Sequence, residues 1–176
     1  AASKKSNEVL AYSYSNIFKL PTTGLRFFTV YGPYGRPDMA LYKFVKNIIL
    51  NKPIELYNSG DHFRDFTYID NVVDPIYKLI KKSSKNSIPY QIFNIANGKS
   101  VKLIAFVKLI EKELSKKALI KNLKMQIGDV EKTHADISKL KNKIKINKRV
   151  EIKFGIKKFV KWYKSYYKIV WIITKI

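Results

Sequence analysis

The sequence contains no cysteine, which excludes disulfide scaffolds and thiolate metal centres at once. Histidine is almost as scarce. Only His62 and His134 occur, far apart and in unlike contexts, so a histidine-based metal centre is short of ligands and no metal is expected. Arginine is found four times, at Arg26, Arg36, Arg64 and Arg149, among 35 basic residues, and the others are lysines. No apolar run approaches the roughly 20 residues of a membrane-spanning helix. The segment IVWIIT (169–174) is too short to cross a bilayer and reads as core or a frayed end. No run has the pattern of a secretory signal, and a cytoplasmic location is the expectation. The seven glycines are scattered, and none forms the G-x-G-x-x-G loop that cradles a dinucleotide.

What is present points to a globular domain. The 176 residues are 46% hydrophobic and 14% aromatic, enough for a sizeable core. The formal net charge of +22 invites a nucleic-acid reading. The scarcity of arginine weakens it, because base readers and bidentate phosphate binders favour the planar guanidinium. The lysines are spread along the whole chain, and the accompanying wealth of Ile and Asn is what A/T-rich codons produce. An anionic small-molecule ligand suits the same charge, and nucleic acid is not the expected partner.

Along the chain, Leu10, Tyr14 and Ile17 form the stripe of an amphipathic helix ended by Pro21. Thr22 to Gly24 reads as a turn and LRFFTVYG (25–32) as a buried strand, followed by a Pro/Gly loop and a helix near 41–50. Two short strands are expected around the Ser-Gly-Asp turn at 59–61. Asp70 is the expected N-cap of a helix that carries Pro75 just past its first turn. YQIFNIA is a strand closed by Asn97-Gly98, and Ser100 is expected to cap a helix with Leu103, Val107, Ile110 and Leu114 on its core face. A strand over 119–125, a loop, and a final helix with Ile156, Phe159, Val160, Tyr163 and Tyr167 on one face complete the pattern. This succession is α/β, and open α/β sheets bind ligands in the loops after their strands.

Taken singly, the polar candidates are modest. Lys4 and Lys5 read as solvated surface, and an ion pair of Arg64 with Asp61 or Asp65 competes with a ligand role. Asp129 suits a helix cap or a sugar hydroxyl, and Arg36 stands alone in a constrained loop. Neither a Ser/His/Asp set nor a carboxylate pair can be read from the spacing.

Together the stretches say more. LPTTGLRFFTVYGPYGRPDMALYKF, RDFTYIDNV, FNIANGKSVKL, QIGDVEKTHAD and GIKKFVKWYKSYY follow one another as in the carboxyl-terminal half of the extended short-chain dehydrogenase/reductase family. The chain most resembles the members acting on UDP-glucuronate, from Ala1 to about Tyr167. The resemblance implies the end of a Rossmann-type NAD-binding domain over 1–35. From 36 to 176 it implies mainly a small α/β substrate-binding region, with some segments returning to the Rossmann sheet.

The resemblance also implies a chemistry: NAD-dependent oxidation at C4 of a nucleotide sugar, turnover of the 4-keto sugar, and reduction on the opposite face. Lys4 matches the lysine of a Tyr-x-x-x-Lys pair, and the family stretch similar to YAASKKANE would put the tyrosine one residue before Ala1. The chain is therefore expected to be a fragment, inactive alone. By the same resemblance Phe27 lies beside the nicotinamide, and Thr29 and Arg36 hold the sugar carboxylate. Arg64 clamps the diphosphate, and Gln126 and Asp129 lie near the nucleotide ribose and phosphate. UDP-glucuronate or UDP-galacturonate is the implied ligand, with a homodimer possible in the full-length enzyme. Ile127, where the family usually has proline, and Pro75 are departures. A 4,6-dehydratase or decarboxylase of the same family is the neighbouring reading. A basic nucleic-acid-binding module and a remnant without a stable fold are the readings outside it.

Overall fold

The computed structural model describes residues 1–169, so all of IVWIIT but Ile169 lies outside the described residues. Helix α1 (Ala2–Phe18) ends at Lys19, which takes the left-handed conformation, and the chain then enters β1 (Thr22–Phe27) and β2 (Thr29–Tyr31). Then follow α2 (Ala40–Ile49), β3 (Ile54–Tyr57), β4 (Phe63–Arg64), β5 (Phe66–Tyr68), α3 (Asp70–Ile80) and β6 (Tyr90–Ile95). The carboxyl-terminal part holds β7 (Val101–Lys102), α4 (Leu103–Leu114), β8 (Ile120–Leu123), α5 (Ser138–Lys143) and α6 (Ile152–Tyr166).

Parallel pairing dominates, as expected of α/β layers. β1 pairs with β6, β2 with β5 and β3 with β8, all parallel, while the two-residue β4 and β7 run antiparallel. The expected single strand over 25–32 is thus two strands. It starts earlier, at Thr22, so Thr22 to Gly24 is strand and not turn, and it exchanges partners at Phe28. Nor is it uniformly buried: Phe27 is 52% exposed, because among the described residues β1 has β6 as its only strand partner.

Asp65 secures the exchange point. Its carboxylate is fully buried and accepts the backbone N–H of Asn97 (2.8 Å) on Oδ1 and that of Gly98 (2.8 Å) on Oδ2. Thr67 donates its hydroxyl to Asp65 Oδ1 at 3.3 Å and accepts the Asn97 N–H at 2.9 Å. Burial pushes the Arg149 guanidinium below its ordinary value, opposed by the attraction of Asp65, and Arg149 donates to the Ala96 carbonyl. One buried charge therefore ties the end of β6 to the link between β4 and β5.

The main core lies among α2, α4, α6 and strands β2, β3 and β5. The four expected residues of α4 are partly or fully buried, as are Ile156, Phe159, Val160 and Tyr163 of α6, whereas Tyr167 is 45% exposed. Phe66 and Phe106 stack with ring centroids 4.0 Å apart. Gly155 lets α6 approach the sheet, since a Cβ there would lie 2.3 Å from Tyr31 Oη and 2.8 Å from Tyr68 Cδ2. Gly155→Ala should therefore destabilise by about 1–3 kcal/mol, because overpacking outweighs the roughly 1 kcal/mol of helix propensity gained. Urea unfolding measures the sign, and a stabilised variant would contradict this packing. A second core joins α3 and α5 through Val72, Leu79, Leu140 and Ile144 across Phe93 and Ile95 of β6.

Three local expectations change. Ile69, not Asp70, is the N-cap of α3, and Asp70 sits in the first turn, where its charge suits the helix dipole. Ser100 does not cap α4, which starts at Leu103. Its hydroxyl donates to the Thr133 carbonyl because residues 131–133 lie alongside β4. The apolar stripe of α1 is not core: Leu10, Tyr14 and Ile17 are 53–68% exposed and Ser15 is the helix's one buried residue.

Candidate functional site

Four of the seven residues singled out in the sequence meet in one cleft of about 750 Å³. Thr29 enters from the start of β2, Arg64 from β4, and Gln126 and Asp129 from the loop after β8. The N-terminal end of α2 forms one wall through Asp38, Met39 and Ala40. No side chain caps this helix, so its first N–H groups and the positive end of its dipole face a region suited to negative charge.

Arg64 is held from both sides. Nη1 donates to the carbonyls of Phe63 and Glu131, each at 3.1 Å, and Nη2 donates to Asp129 Oδ1 at 2.8 Å. The alternative of an ion pair with Asp61 or Asp65 does not form: Lys102 takes Asp61 at 2.7 Å, and Asp65 is committed to backbone N–H groups. Asp129 follows a tight turn in which its N–H donates to the Gln126 carbonyl at 3.2 Å. Gly128 makes that turn with φ of +82°, a conformation that favours glycine. Asp129 neither caps a helix nor stands free, because its Oδ1 accepts both Arg64 and its neighbour's N–H, that of Val130.

Two sequence candidates lie in a separate cleft of about 630 Å³ between α1 and β1, where Lys4 and Phe27 share a wall with Gly24, Arg26 and Tyr90. Glu8 organises this wall by accepting Arg26 through both carboxylate oxygens (2.6 and 2.7 Å) and Lys5 at 2.8 Å. Lys4 is left without a carboxylate partner among the described residues, although Lys5 next to it has one. The hydrogen bond from Arg26, then that from Lys5, holds the Glu8 carboxyl down to about 2. A carboxyl held low in the fold favours folding above its ordinary range near 4.3, and the contribution fades as pH falls toward 2. A carboxyl-carbon NMR titration of Glu8 should show that depressed midpoint, returning above 4 in Arg26→Ala; an ordinary midpoint in the parent chain contradicts the contact.

Arg36 is not brought into either cleft. Its guanidinium is 75% exposed and pairs with Asp38, two residues on, through Nε at 3.0 Å and through Nη2. The pairing raises Arg36 and lowers Asp38 from their ordinary values. Since Asp38 lines the larger cleft, Arg36 sits at its rim with its fork taken.

His62 is what the sequence did not offer. The imidazole is 2% exposed and lines the larger cleft, with Nε2 buried, unpartnered and 3.9 Å from Asp129 Oδ2. A lone histidine with no second ligand at a regular spacing gives no signal; only the pairing of β4 with β7 encloses it.

The profile of the NAD dependent epimerase/dehydratase family matches residues 1–96, more than half of the chain. The chain belongs to that family. Protein CapI of Staphylococcus aureus is 46% identical to it over 182 residues, covering 96% of this chain and 54% of that protein. UDP-glucuronate 4-epimerase 1 of Arabidopsis thaliana is 43% identical over 180 residues, with 95% of this chain and 42% of that protein covered. In structure, the UDP-glucuronic acid 4-epimerase of Bacillus cereus, solved with UDP-glucuronic acid and NAD, superposes with a TM-score of 0.87. It is 31% identical, and the match covers 94% of this chain and 52% of that one. The chain thus spans about half the length of the relatives it matches.

The α/β fold and family implied by the sequence motifs are thereby established. The cleft between α1 and β1 has the character that a nicotinamide-side wall requires: an aromatic face at Phe27 and an unpaired cation at Lys4. The glycine-rich phosphate loop is not in this sequence, so the residues present fit only that side of NAD. No group of three or more potential metal ligands occurs among the described residues. No helix among them is long and apolar enough to cross a membrane.

Proposed function

We propose that this chain forms the nucleotide-sugar-binding part of a UDP-glucuronate 4-epimerase-type enzyme, together with the lysine end of its active-site helix. The observation that carries the reading is the convergence of Thr29, Arg64, Gln126 and Asp129 on one cleft from three separate stretches of sequence. Arg64 supplies a charged N–H donor for a diphosphate through Nη2, and the N-terminal end of α2 adds a favourable field. Thr29 offers a hydroxyl to the sugar, and Gln126 and Asp129 face the nucleotide. Arg36 takes the sugar carboxylate by exchanging Asp38 for it.

NAD, when bound, would supply reversible hydride chemistry at C4. Lys4, whose ammonium is unpaired, stabilises a neighbouring phenolate and donates to a ribose hydroxyl, while Phe27 packs against the ring. In the domain reading, residues 1–35 belong to the cofactor domain and most of 36–176 to the substrate region. The exposed apolar residues of α1, Val9, Leu10, Tyr14, Ile17 and Phe18, belong to a surface covered in the assembled enzyme, which the reading takes to be a homodimer.

Calorimetric titration of the chain with UDP, UDP-glucose and UDP-glucuronate tests the reading. All three should bind, UDP-glucuronate tightest, and Arg36→Ala should remove its advantage over UDP-glucose. Absence of UDP binding overturns the reading, and an advantage unchanged in Arg36→Ala overturns the role of Arg36.

A further inference from the structure

We propose that His62 is a positioning residue: its buried Nε2 receives the Asp129 carboxylate when an anionic ligand takes Arg64. The inference rests on the diphosphate reading of the larger cleft. It starts from a contact that conflicts with a ready-made anion site. One N–H of Arg64 Nη2 is given to Asp129 Oδ1 at 2.8 Å, which puts a carboxylate beside the place an incoming anion must take. A phosphate oxygen and Asp129 cannot share that nitrogen without like-charge repulsion.

The exchange needs an alternative donor for Asp129, and the cleft holds one. Nε2 of His62 is buried and without a hydrogen-bond partner, an arrangement that costs free energy unless another state satisfies it. It lies 3.9 Å from Asp129 Oδ2. With its proton on Nε2, the ring reaches normal hydrogen-bond length if Asp129 moves by roughly 1 Å. The chain permits such a movement. Gly128, immediately before Asp129, holds a left-handed φ and has no atom within 4 Å of where a side chain would stand. The Arg64 Nη1, held by the Phe63 and Glu131 carbonyls, stays in place while Nη2 changes partner. The His62 backbone is fixed, since its carbonyl accepts the Leu103 N–H at 2.8 Å at the start of α4, and the ring is 2% exposed. Asp129 is thus a gate on Arg64, closed on the guanidinium without ligand and open on the imidazole with it.

The test is a double-mutant cycle with UDP as ligand, read by calorimetry, and folding checked by unfolding of each variant. His62→Phe should weaken UDP binding about tenfold, because Asp129 then has no buried donor to turn to. In the Asp129→Asn background, where the competing charge is gone, the same change should alter binding less than twofold. His62→Gln, which keeps a donor on a side chain of similar reach, should restore most of the affinity. A protein labelled with ¹⁵N-histidine gives a readout that needs no variant: UDP should shift the His62 Nε2 resonance and leave His134 unmoved. Equal losses for His62→Phe in both backgrounds, or an unmoved His62 resonance at saturating UDP, overturn the inference while the cleft remains the nucleotide site. Failure of the parent chain to bind UDP overturns the cleft reading itself, and the inference with it.

Discussion

Asp65→Ala is expected to lose about 3–5 kcal/mol of folding stability, the largest loss foreseen for a residue outside the main core. The substitution leaves the part-buried Gly98 N–H without its acceptor, at about 1–3 kcal/mol, and leaves the Asn97 N–H with Thr67 Oγ1 alone. It also removes the charge that compensates the half-buried Arg149. Asp65→Asn should cost less, about 1–3 kcal/mol, because the amide oxygen keeps one of the two backbone bonds and its NH₂ faces the other donor. Denaturant titrations with an unchanged slope would report both values. A loss under about 1 kcal/mol for Asp65→Ala would show that water replaces the carboxylate and that the joint is not built as described.

Arg64→Ala should weaken UDP binding about 30- to 150-fold, the range expected when a charge-assisted pair of about 2–3 kcal/mol is removed. Arg64→Lys should recover little, because a point charge cannot hold the Phe63 and Glu131 carbonyls and reach the ligand at once. The loss should be larger for UDP than for UMP, which presents one phosphate. Equal losses for both nucleotides would place the guanidinium at the α-phosphate alone, and no loss would remove it from the site. Part of the effect runs through the loop that holds Gln126 and Asp129, since Arg64 ties residue 131 to β4.

Thr29, Arg64, Gln126 and Asp129 were legible because each belongs to a motif whose neighbours are also present, and the fold brings them to one cleft. Arg36 was legible as a singular residue but not its pairing with Asp38, which depends on a local loop conformation. The partner exchange at Phe28 was hidden because both halves of LRFFTVYG have the same strand-forming composition. Only pairing with β6 and β5, 68 and 37 residues away in the chain, divides them. Ser100 has the residue type of a cap, yet its hydroxyl serves the Thr133 carbonyl, a tertiary contact. The stripe on α1 follows helical spacing faithfully, but periodicity identifies a face that wants cover, not the element that covers it.

The central claim is that the cleft bounded by β2, the start of α2, β4 and the 126–129 loop is where a nucleotide sugar binds. The most direct measurement is a ¹H–¹⁵N NMR titration of the chain with UDP-glucuronate at two salt concentrations. The account predicts saturable shifts centred on Thr29, the Arg64 guanidinium, Gln126 and Asp129, with little change at the lysines of the α3–β6 connection. Shifts spread over those surface lysines that vanish at the higher salt concentration would contradict it.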